Sequence, residues 1–307
     1  MAVTTNSANR WARPSSAGRI ARRKRNNSLA ARKGWEAFWT VLTYVLVLVT
    51  IFPVIWMIIT GFKTEADAYT ASPLVIFQPT LEQFALAWNS GFIAYLFNSV
   101  VASVVSTAIA LVLGIPAAYC MVFQMRKKSS NDMLFFVLST RFMPFAAIVI
   151  PLYVIISRLN LLDDLFTLVI IYTAMNLPLI IWMARSYFMD LPKEVLEGAW
   201  LDGSSTFRTI VSIVVPMAAP GLTAAALLSI IFAWNDFLFA VALTYTNTPT
   251  LPIMVAVFSS NQDLFLAKIS ALATAIIIVP VILGIYAQKH LVQGLTGCAL
   301  KYFANSA

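Results

Sequence analysis

Six separate runs of apolar residues constrain this chain more than any other feature of its sequence. They lie roughly at residues 36–60, 98–123, 133–157, 165–188, 217–243 and 266–288. Each run is close to the length of about 20 residues that an α-helix needs to cross the hydrocarbon core of a bilayer. Because a backbone in lipid must satisfy its own hydrogen bonds, these runs predict an all-α polytopic membrane protein with six transmembrane helices.

The low charge content of the chain excludes a water-soluble domain. Only 11% of its 307 residues are charged and 60% are hydrophobic, whereas roughly a quarter of the residues of a soluble domain are charged. The two cysteines, Cys120 and Cys298, are far apart in sequence, and His290 is the sole histidine. This inventory predicts neither a disulfide framework nor a metal site.

Positive charge is concentrated in segments that fall on one side of the predicted membrane. Nine of the 21 Lys and Arg residues precede residue 35; with cytosolic termini, 17 lie in cytosolic segments and three in outer loops. The positive-inside rule therefore predicts that both termini are cytosolic. Residues 1–34 are predicted to be a disordered basic tail lying on the membrane rather than on nucleic acid, 35–301 the transmembrane domain, and 302–307 a C-terminal tail.

The connection between the fourth and fifth runs, residues 190–216, has the pattern of two short helices. Pro192 suits a first helical turn, and Gly203 is placed to end the first helix in a left-handed turn. Ser204 or Ser205 is placed to cap the second helix. The first helix is predicted to have one apolar face, formed by Val195, Leu196, Ala199 and Trp200.

This connection resembles the EAA loop of ABC importer permeases. The family pattern is Glu-Ala-Ala, three residues, Gly, nine residues and Ile-x-Leu-Pro. The residues that match it at the same spacing are Glu197, Gly198, Ala199, Gly203, Ile213 and Pro216. The chain departs from the pattern at Gly198, where the family has Ala, and at Val215, where it has Leu; both changes keep the spacing.

Flanking residues resemble the carbohydrate-uptake branch of these permeases, the maltose-transporter-type second permease. The matching stretches are Asp202-Gly203, Pro220-Gly221 and residues 234–239, Trp-Asn-Asp-Phe-Leu-Phe. The resemblance covers about residues 35–301 and implies the ABC type I importer permease fold in a bacterial inner membrane. It further implies the permease subunit of an ATP-driven, binding-protein-dependent importer of a sugar or polyol.

The resemblance assigns roles to the loop and to the segment after the fifth span. The first loop helix would be the coupling helix, seated on an ATPase subunit. The residues implied in coupling are Glu197, Gly198, Ala199, Trp200, Asp202 and Gly203. Those implied in contact with the binding protein are Pro249, Thr250, Leu251 and Pro252.

Polar side chains at membrane depth are costly and therefore candidates for the translocation cavity or gate. These are Arg141, Asn176, Trp234, Asn235 and Asp236. In an alternative interpretation, Arg141 and Asp236 lie near the ends of spans or pair only to satisfy each other. Trp234 would then pack in the protein interior instead of contacting a sugar ring.

The chain has no Gly-x4-Gly-Lys-[Ser/Thr] motif, so it is not expected to bind ATP itself. With one histidine and no paired Asp/His or Ser/Lys constellation in a span, it is not expected to be an enzyme. ATP and Mg would be bound by partner subunits, and no cofactor is expected in this chain. The resemblance implies four kinds of partner: a second related permease, two ATPase subunits, an extracytoplasmic solute-binding protein and membrane lipid. Glycerol phosphate or another small polar solute is an alternative cargo, and an ion-coupled secondary transporter is a more distant alternative function.

Overall fold

A computed structural model describes the backbone of residues 16–70, 76–260 and 265–304, and side chains within 35–70, 76–259 and 265–286. All the regular secondary structure of these residues is helical. The α-helices are α1 (Ser16–Gly61), α2 (Glu65–Ala68), α3 (Glu82–Asn89), α4 (Phe92–Tyr119), α5 (Lys127–Ser139), α6 (Phe145–Arg158), α7 (Leu165–Met189), α8 (Lys193–Leu201), α9 (Thr206–Thr209), α10 (Val215–Met217), α11 (Ala219–Trp234), α12 (Leu238–Leu243), α13 (Leu251–Ser260) and α14 (Leu266–Ala304). Single π turns follow α4 (Cys120–Gln124) and α9 (Ile210–Val214), and a 3-10 turn, Thr140–Phe142, follows α5.

Four helical stretches in the described part of the chain are long and apolar enough to cross a membrane unbroken. They are Trp35–Gly61, Phe92–Gln124, Leu165–Met189 and Leu266–Tyr286. Two more candidates are pairs of helices bent by 85° and 84°. If each bent pair is one span, the total is six, the number predicted from the sequence.

The first bend divides the third predicted span. The sequence predicts one helix over 133–157, but Lys127–Phe142 and Phe145–Arg158 meet at 85°. Pro144 has no N–H to donate and disfavours helical geometry in the residue before it. Met143 accordingly takes an extended conformation, with φ −68° and ψ 129°. The prediction of a single helix here is wrong because of this proline.

The second bend separates the loop helices from the fifth predicted span. Thr206–Met217 and Ala219–Trp234 meet at 84°, close to the boundary predicted after Pro216. α11 then ends at Trp234, so the prediction of a single helix reaching residue 243 is wrong. A carboxylate, Asp236, follows the break and accepts hydrogen bonds from the first turn of α12.

Small residues let α4, α7 and α11 approach closely. A Cβ added at Gly114 would lie 2.8 Å from Cγ2 of Ile180, and one added at Gly221 would overlap the Tyr187 ring. Close backbone approach at small residues is the usual way in which membrane helices pack. These three helices form the centre of the fold and carry most of its buried polar side chains.

The first helix differs from the sequence prediction at its beginning. α1 begins at Ser16, inside the segment predicted to be a disordered tail. Its Arg, Lys, Ala and Leu residues are strong helix formers, which accounts for the difference. Residues 1–15 and 305–307, and the side chains of Cys298 and His290, lie outside the described residues. The chain divides into two compact units, Met1–Trp56 and Met57–Ala307.

Candidate functional site

A left-handed glycine joins the two helices of the 190–217 loop. Gly203 has φ +73°. The N–H of Ser204 donates to Ala199 O (3.0 Å) and the N–H of Gly203 donates to Trp200 O (3.0 Å). These two hydrogen bonds form a Schellman motif, which ends α8 and satisfies its last carbonyl groups. The predicted left-handed end of the first helix is confirmed.

A serine caps the second helix of the loop. The Ser205 hydroxyl oxygen accepts the N–H of Arg208 (3.4 Å), and the Thr209 hydroxyl donates to Ser205 O (3.1 Å). Of the two serines proposed from the sequence, Ser205 is therefore the cap. From this point the chain stays helical through the π turn to Met217.

One side of the loop is packed onto the ends of α4 and α7. Leu196 is 1% exposed and belongs to a buried cluster with Tyr119, Phe188 and Val214. The buried face of α8 is narrower than the four-residue apolar face predicted from the sequence, because Val195 and Trp200 are exposed. The buried pair, Leu196 and Ala199, has the spacing of i and i+3 on one helical face. This packing fixes the position of α8 relative to two spans.

The other side of the loop presents apolar side chains to its surroundings. Leu201 is 90% exposed and Phe207 is 76% exposed, on either side of the Gly203 corner. Glu197 and Asp202 are also exposed. On a segment predicted to lie outside the membrane, large apolar groups beside charged ones are candidates for contact with another protein. All six residues predicted to act in coupling lie on this short segment.

Arg141 lies in the 3-10 turn at the first bend and is bound to α7. Its guanidinium donates to Met175 O from Nε (3.3 Å) and from Nη2 (3.1 Å). The guanidinium carbon also lies 5.2 Å from the centre of the Phe232 ring on α11. Arg141 therefore connects the bent third span to the two central helices.

Asp236 lies at the break after α11 and has different partners. Its Oδ2 accepts the Tyr172 hydroxyl (2.9 Å) and the N–H groups of Phe239 and Ala240 (both 3.2 Å). The carboxylate therefore caps α12 and ties it to α7. Asn235 is exposed, and its side-chain amide donates to a carbonyl of α11 (2.8 Å). The mutual hydrogen bonding of Arg141 and Asp236 considered from the sequence is not the arrangement found.

Asn176 belongs to a buried polar seam between the three central helices. Its Nδ2 donates to Ser229 O (3.3 Å), and the Thr107 hydroxyl donates to Ser229 Oγ (3.0 Å). Nearby, the Thr173 hydroxyl donates to Ser106 O (3.3 Å). Such bonds join helices where there is no water to compete for them. The cavity role of Asn176 stays a prediction; the contacts described here are between helices.

Trp234 is packed in an apolar cluster and is 3% exposed. The other buried members of this cluster are Ala87, Phe92, Leu251, Met254 and Leu272. Its ring is therefore enclosed by neighbouring helices in this structure, as in the packing alternative considered from the sequence.

The segment predicted to contact a binding protein is largely covered by its own chain. Pro249, Thr250 and Leu251 are buried and Pro252 is half-buried. Asn98 Nδ2 donates to the carbonyl of Pro249 (3.0 Å), which holds this segment against α4. Contact of these four residues with a binding protein stays a prediction, and the exposed side chains nearby are those of residues 245–247.

Asp163 is a residue that the sequence analysis missed. It lies in the turn before α7 with φ +57°, and its carboxylate accepts the backbone N–H groups of residues 245–248 at 2.9–3.1 Å. Partial burial alone would raise the pKa of Asp163, but these four N–H groups outweigh it and lower the pKa from 3.8 to about 2. The sequence does contain a signal for this role, the pair Asp163-Asp164 before α7. One aspartate is enough to cap the helix, so the second carboxylate is free to bind elsewhere.

Residues 110–297 match the model of a family described as "Binding-protein-dependent transport system inner membrane component". The "Probable ABC transporter permease protein y4oR" of Sinorhizobium fredii (strain NBRC 101917 / NGR234) is 34% identical over 278 residues, which cover 90% of this chain and 98% of the relative. The "Trehalose/maltose transport system permease protein MalG" of Thermococcus litoralis is 33% identical over 261 residues, 83% of this chain and 93% of the relative.

One solved structure has a similar arrangement of helices. It is a chain of a bacterial ABC transporter described as involved in the import of the acidic polysaccharide alginate. The TM-score is 0.69 at 20% identity, and the match covers 84% of this chain and 97% of that chain. At this level of identity the likeness shows the fold, and it confirms the fold predicted from the sequence.

Proposed function

Because the chain belongs to the family of binding-protein-dependent transport system inner membrane components, we propose that it is the permease subunit of an ATP-driven importer of a sugar or polyol. The observation that carries the proposal is the 190–217 loop. The loop has the residue spacing of the family and turns sharply at Gly203, where a Schellman motif ends its first helix. Leu201 and Phe207, on either side of this corner, are uncovered.

The proposed complex contains this chain, a second related permease, two ATPase subunits and an extracytoplasmic solute-binding protein. ATP and Mg are bound by the ATPase subunits, since this chain carries no phosphate-binding motif. Both termini and the 190–217 loop face the cytosol, as the distribution of Lys and Arg favours. The 244–260 segment then faces the outside, where the binding protein arrives.

Force enters through the loop and is passed to the spans by packing. In the proposed mechanism, closure of the ATPase subunits moves α8, with Glu197 paired to a basic group of the ATPase. Leu196 is buried with Tyr119 of α4 and Phe188 of α7, so displacement of α8 displaces those helix ends as well. A closely packed corner transmits such a displacement, because packed elements move as units and deform little.

A neutral polyhydroxyl cargo is the choice best supported by the chain and its relatives. A relative 33% identical to this chain is named for trehalose and maltose transport. A phosphorylated cargo would need cationic side chains in the cavity. Arg141, the cation that the sequence places within a span, already donates to Met175 O and lies over Phe232.

The test is uptake by the assembled complex in liposomes, with the binding protein that co-purifies with it. A panel of neutral sugars and polyols is compared with glycerol phosphate, in each case with ATP, without ATP, and with an imposed proton gradient. We expect uptake of a neutral compound that requires ATP. Uptake driven by the gradient, with no ATPase subunit present, would overturn the proposal in favour of a secondary transporter.

A further inference from the structure

Two carboxylates from elsewhere in the chain bind backbone N–H groups on either side of α13, those of residues 245–248 and those of residues 267 and 268. We propose that Asp163 and Glu65 are positioning residues that fix the 244–260 segment from these two sides, so that its exposed turn, residues 245–247, meets the solute-binding protein in a preset orientation. This inference rests on the proposed function, which places the segment on the outer face. It concerns the site of contact and the residues that hold it in position.

Asp163 holds the first end of the segment. Its Oδ1 accepts the N–H of Tyr245 (2.9 Å), the N–H of Thr248 (3.1 Å) and the Thr248 hydroxyl (3.0 Å). Its Oδ2 accepts the N–H groups of Thr246 (3.1 Å) and Asn247 (2.9 Å). Both carboxylate oxygens are therefore used by one turn of backbone more than 80 residues away in sequence.

The backbone of Asp163 reinforces this arrangement. Its own N–H donates to the carbonyl of Leu243 (2.8 Å), and its φ is +57°. A non-glycine residue at such a φ is strained, and strain of this kind persists where surrounding contacts impose it. The charge-assisted bonds from four successive N–H groups supply those contacts.

Glu65 holds the start of α14, beyond the other end of the segment. Its carboxylate accepts the N–H groups of Ala267 (3.1 Å) and Lys268 (2.9 Å), in the first turn of α14. These are N–H groups that have no partner within the helix, and a negative charge there also complements the helix dipole. The ammonium of Lys268 lies 3.8 Å from the centre of the Phe258 ring on α13, which connects the Glu65 end back to α13.

Between these ends, the apolar side of the segment is buried and the 245–247 turn is exposed. Leu251 and Met254 are buried in the cluster around Trp234, and the N–H of Leu251 donates to the Ser99 hydroxyl (2.8 Å). Tyr245, Thr246 and Asn247 project from this fixed base. Exposed backbone and polar side chains on a fixed base lose little conformational entropy when a partner binds them.

The first measurement uses a probe that needs no knowledge of the cargo. Asn247→Cys is introduced into the assembled complex with Cys120 and Cys298 changed to Ser, and labelled in intact cells with a membrane-impermeant maleimide. Asp163→Asn keeps the shape of the side chain but replaces one acceptor oxygen by an NH2 group, so at least two of the five hydrogen bonds are lost. We expect labelling to become faster by roughly fivefold, since each lost bond to a charged group loosens the turn.

Asp164→Asn is the matched control for this measurement. The neighbouring carboxylate accepts the N–H (2.8 Å) and hydroxyl (3.0 Å) of Thr167 within its own helix, and Asn caps helices as well as Asp does. Its labelling rate should equal that of the parent. Equal rates for Asp163→Asn and the parent would overturn the inference. An Asn247→Cys parent that is labelled only after the cells are permeabilised would instead contradict the proposed orientation.

The second measurement separates positioning from general damage to the fold. ATP hydrolysis by the complex in nanodiscs is followed as a function of the concentration of the co-purifying binding protein. Asp163→Asn and Glu65→Gln should each raise the half-saturating concentration by roughly fivefold while the maximal rate stays within about twofold. A fall in the maximal rate with no change in half-saturation would overturn the positioning role. A parent complex that the binding protein does not stimulate would count against the proposed function itself.

Discussion

Two connections between helices, the 190–217 loop and the 244–260 segment, differ in how far the chain itself covers their apolar side chains. Each lies outside the central packing of α4, α7 and α11, and each contains a short helix. The 190–217 loop leaves large side chains such as Leu201 uncovered, whereas the 244–260 segment buries Leu251 completely. The difference indicates which connection depends on another protein to complete its surface.

The sources of order also differ between the two regions. The loop is closed by bonds between neighbours, from Ser204 to Ala199 and from Arg208 to Ser205. The segment is closed by bonds to distant residues, from Asn98 to Pro249 and from Tyr245 to Asp163. A loop ordered by its own residues keeps its shape while a partner moves it. A segment ordered by distant residues keeps its place only while those residues stay together.

The largest expected effect is the contrast between two leucines, one in each region. Leu251→Ala removes a fully buried side chain and should lower the free energy of unfolding by about 2–5 kcal/mol. Leu201→Ala, at an exposed position, should change it by less than about 0.5 kcal/mol. Thermal unfolding of the purified chain in detergent measures both. Equal costs for the two variants would break the comparison.

Next in size is Gly203→Val. A Cβ at Gly203 meets no atom within 4 Å, so the cost comes from the φ of +73° alone, about 1–2 kcal/mol for an L-residue and more for a β-branched one. We expect stimulation of ATP hydrolysis by the binding protein to fall at least about tenfold, because the corner would open. Gly198→Ala is the control: its Cβ is equally free but its helical backbone favours Ala, so coupling should be kept.

A smaller effect is expected at Asp236, which lies between α11 and α12. Asp236→Ala removes the cap of α12 and leaves the Tyr172 hydroxyl without its acceptor, which should cost about 1 kcal/mol of stability. Asn235→Ala, next to it, removes an exposed amide whose bond lies within its own helix and should cost less. Unfolding temperatures of the two variants that agree within error would contradict the capping role of Asp236.

The smallest expected effect is that of pH on the 245–248 turn. The pKa of Asp163 is lowered to about 2, so its carboxylate is charged in the folded protein throughout the physiological range. A lowered folded-state pKa contributes stability above the ordinary value of 3.8 that is lost as pH falls toward 2. Amide hydrogen-exchange protection of residues 245–248, corrected for intrinsic rates, should therefore stay constant between about pH 5 and pH 8. A change centred near neutral pH would show that another group orders the turn.

The same contrast explains which features the sequence could predict. The Gly203 corner and a serine cap depend on residues within a few positions of one another, so their spacing in the sequence predicts the corner and narrows the cap to Ser204 or Ser205. The bond between Asp163 and residues 245–248 spans more than 80 positions, and the sequence shows only a spare carboxylate beside a helix cap. Likewise, the sequence identifies Arg141 and Asp236 as polar residues that are costly to place in a membrane. It cannot identify their partners on α7, because those partners are far away in the sequence.

The spans themselves show where apolar runs are a sufficient guide and where they are not. Runs without an internal break, such as 165–188, became single helices close to their predicted bounds. The runs at 133–157 and 217–243 contain Pro144 and Asn235-Asp236, and each became two helices. Hydrophobicity sets how much chain lies in the membrane, whereas backbone hydrogen bonding sets where a helix ends.

The early end of α11 has a consequence for biogenesis. Its 16 residues are about 24 Å long at 1.5 Å per residue, shorter than the hydrocarbon core of about 30 Å. The break at Asn235-Asp236 would therefore lie at membrane depth, and the Tyr172 hydroxyl that donates to Asp236 belongs to a helix made earlier. Translation delivers α7 before α11, so nascent chains from which α7 has been deleted should release α11 from the insertion machinery more slowly.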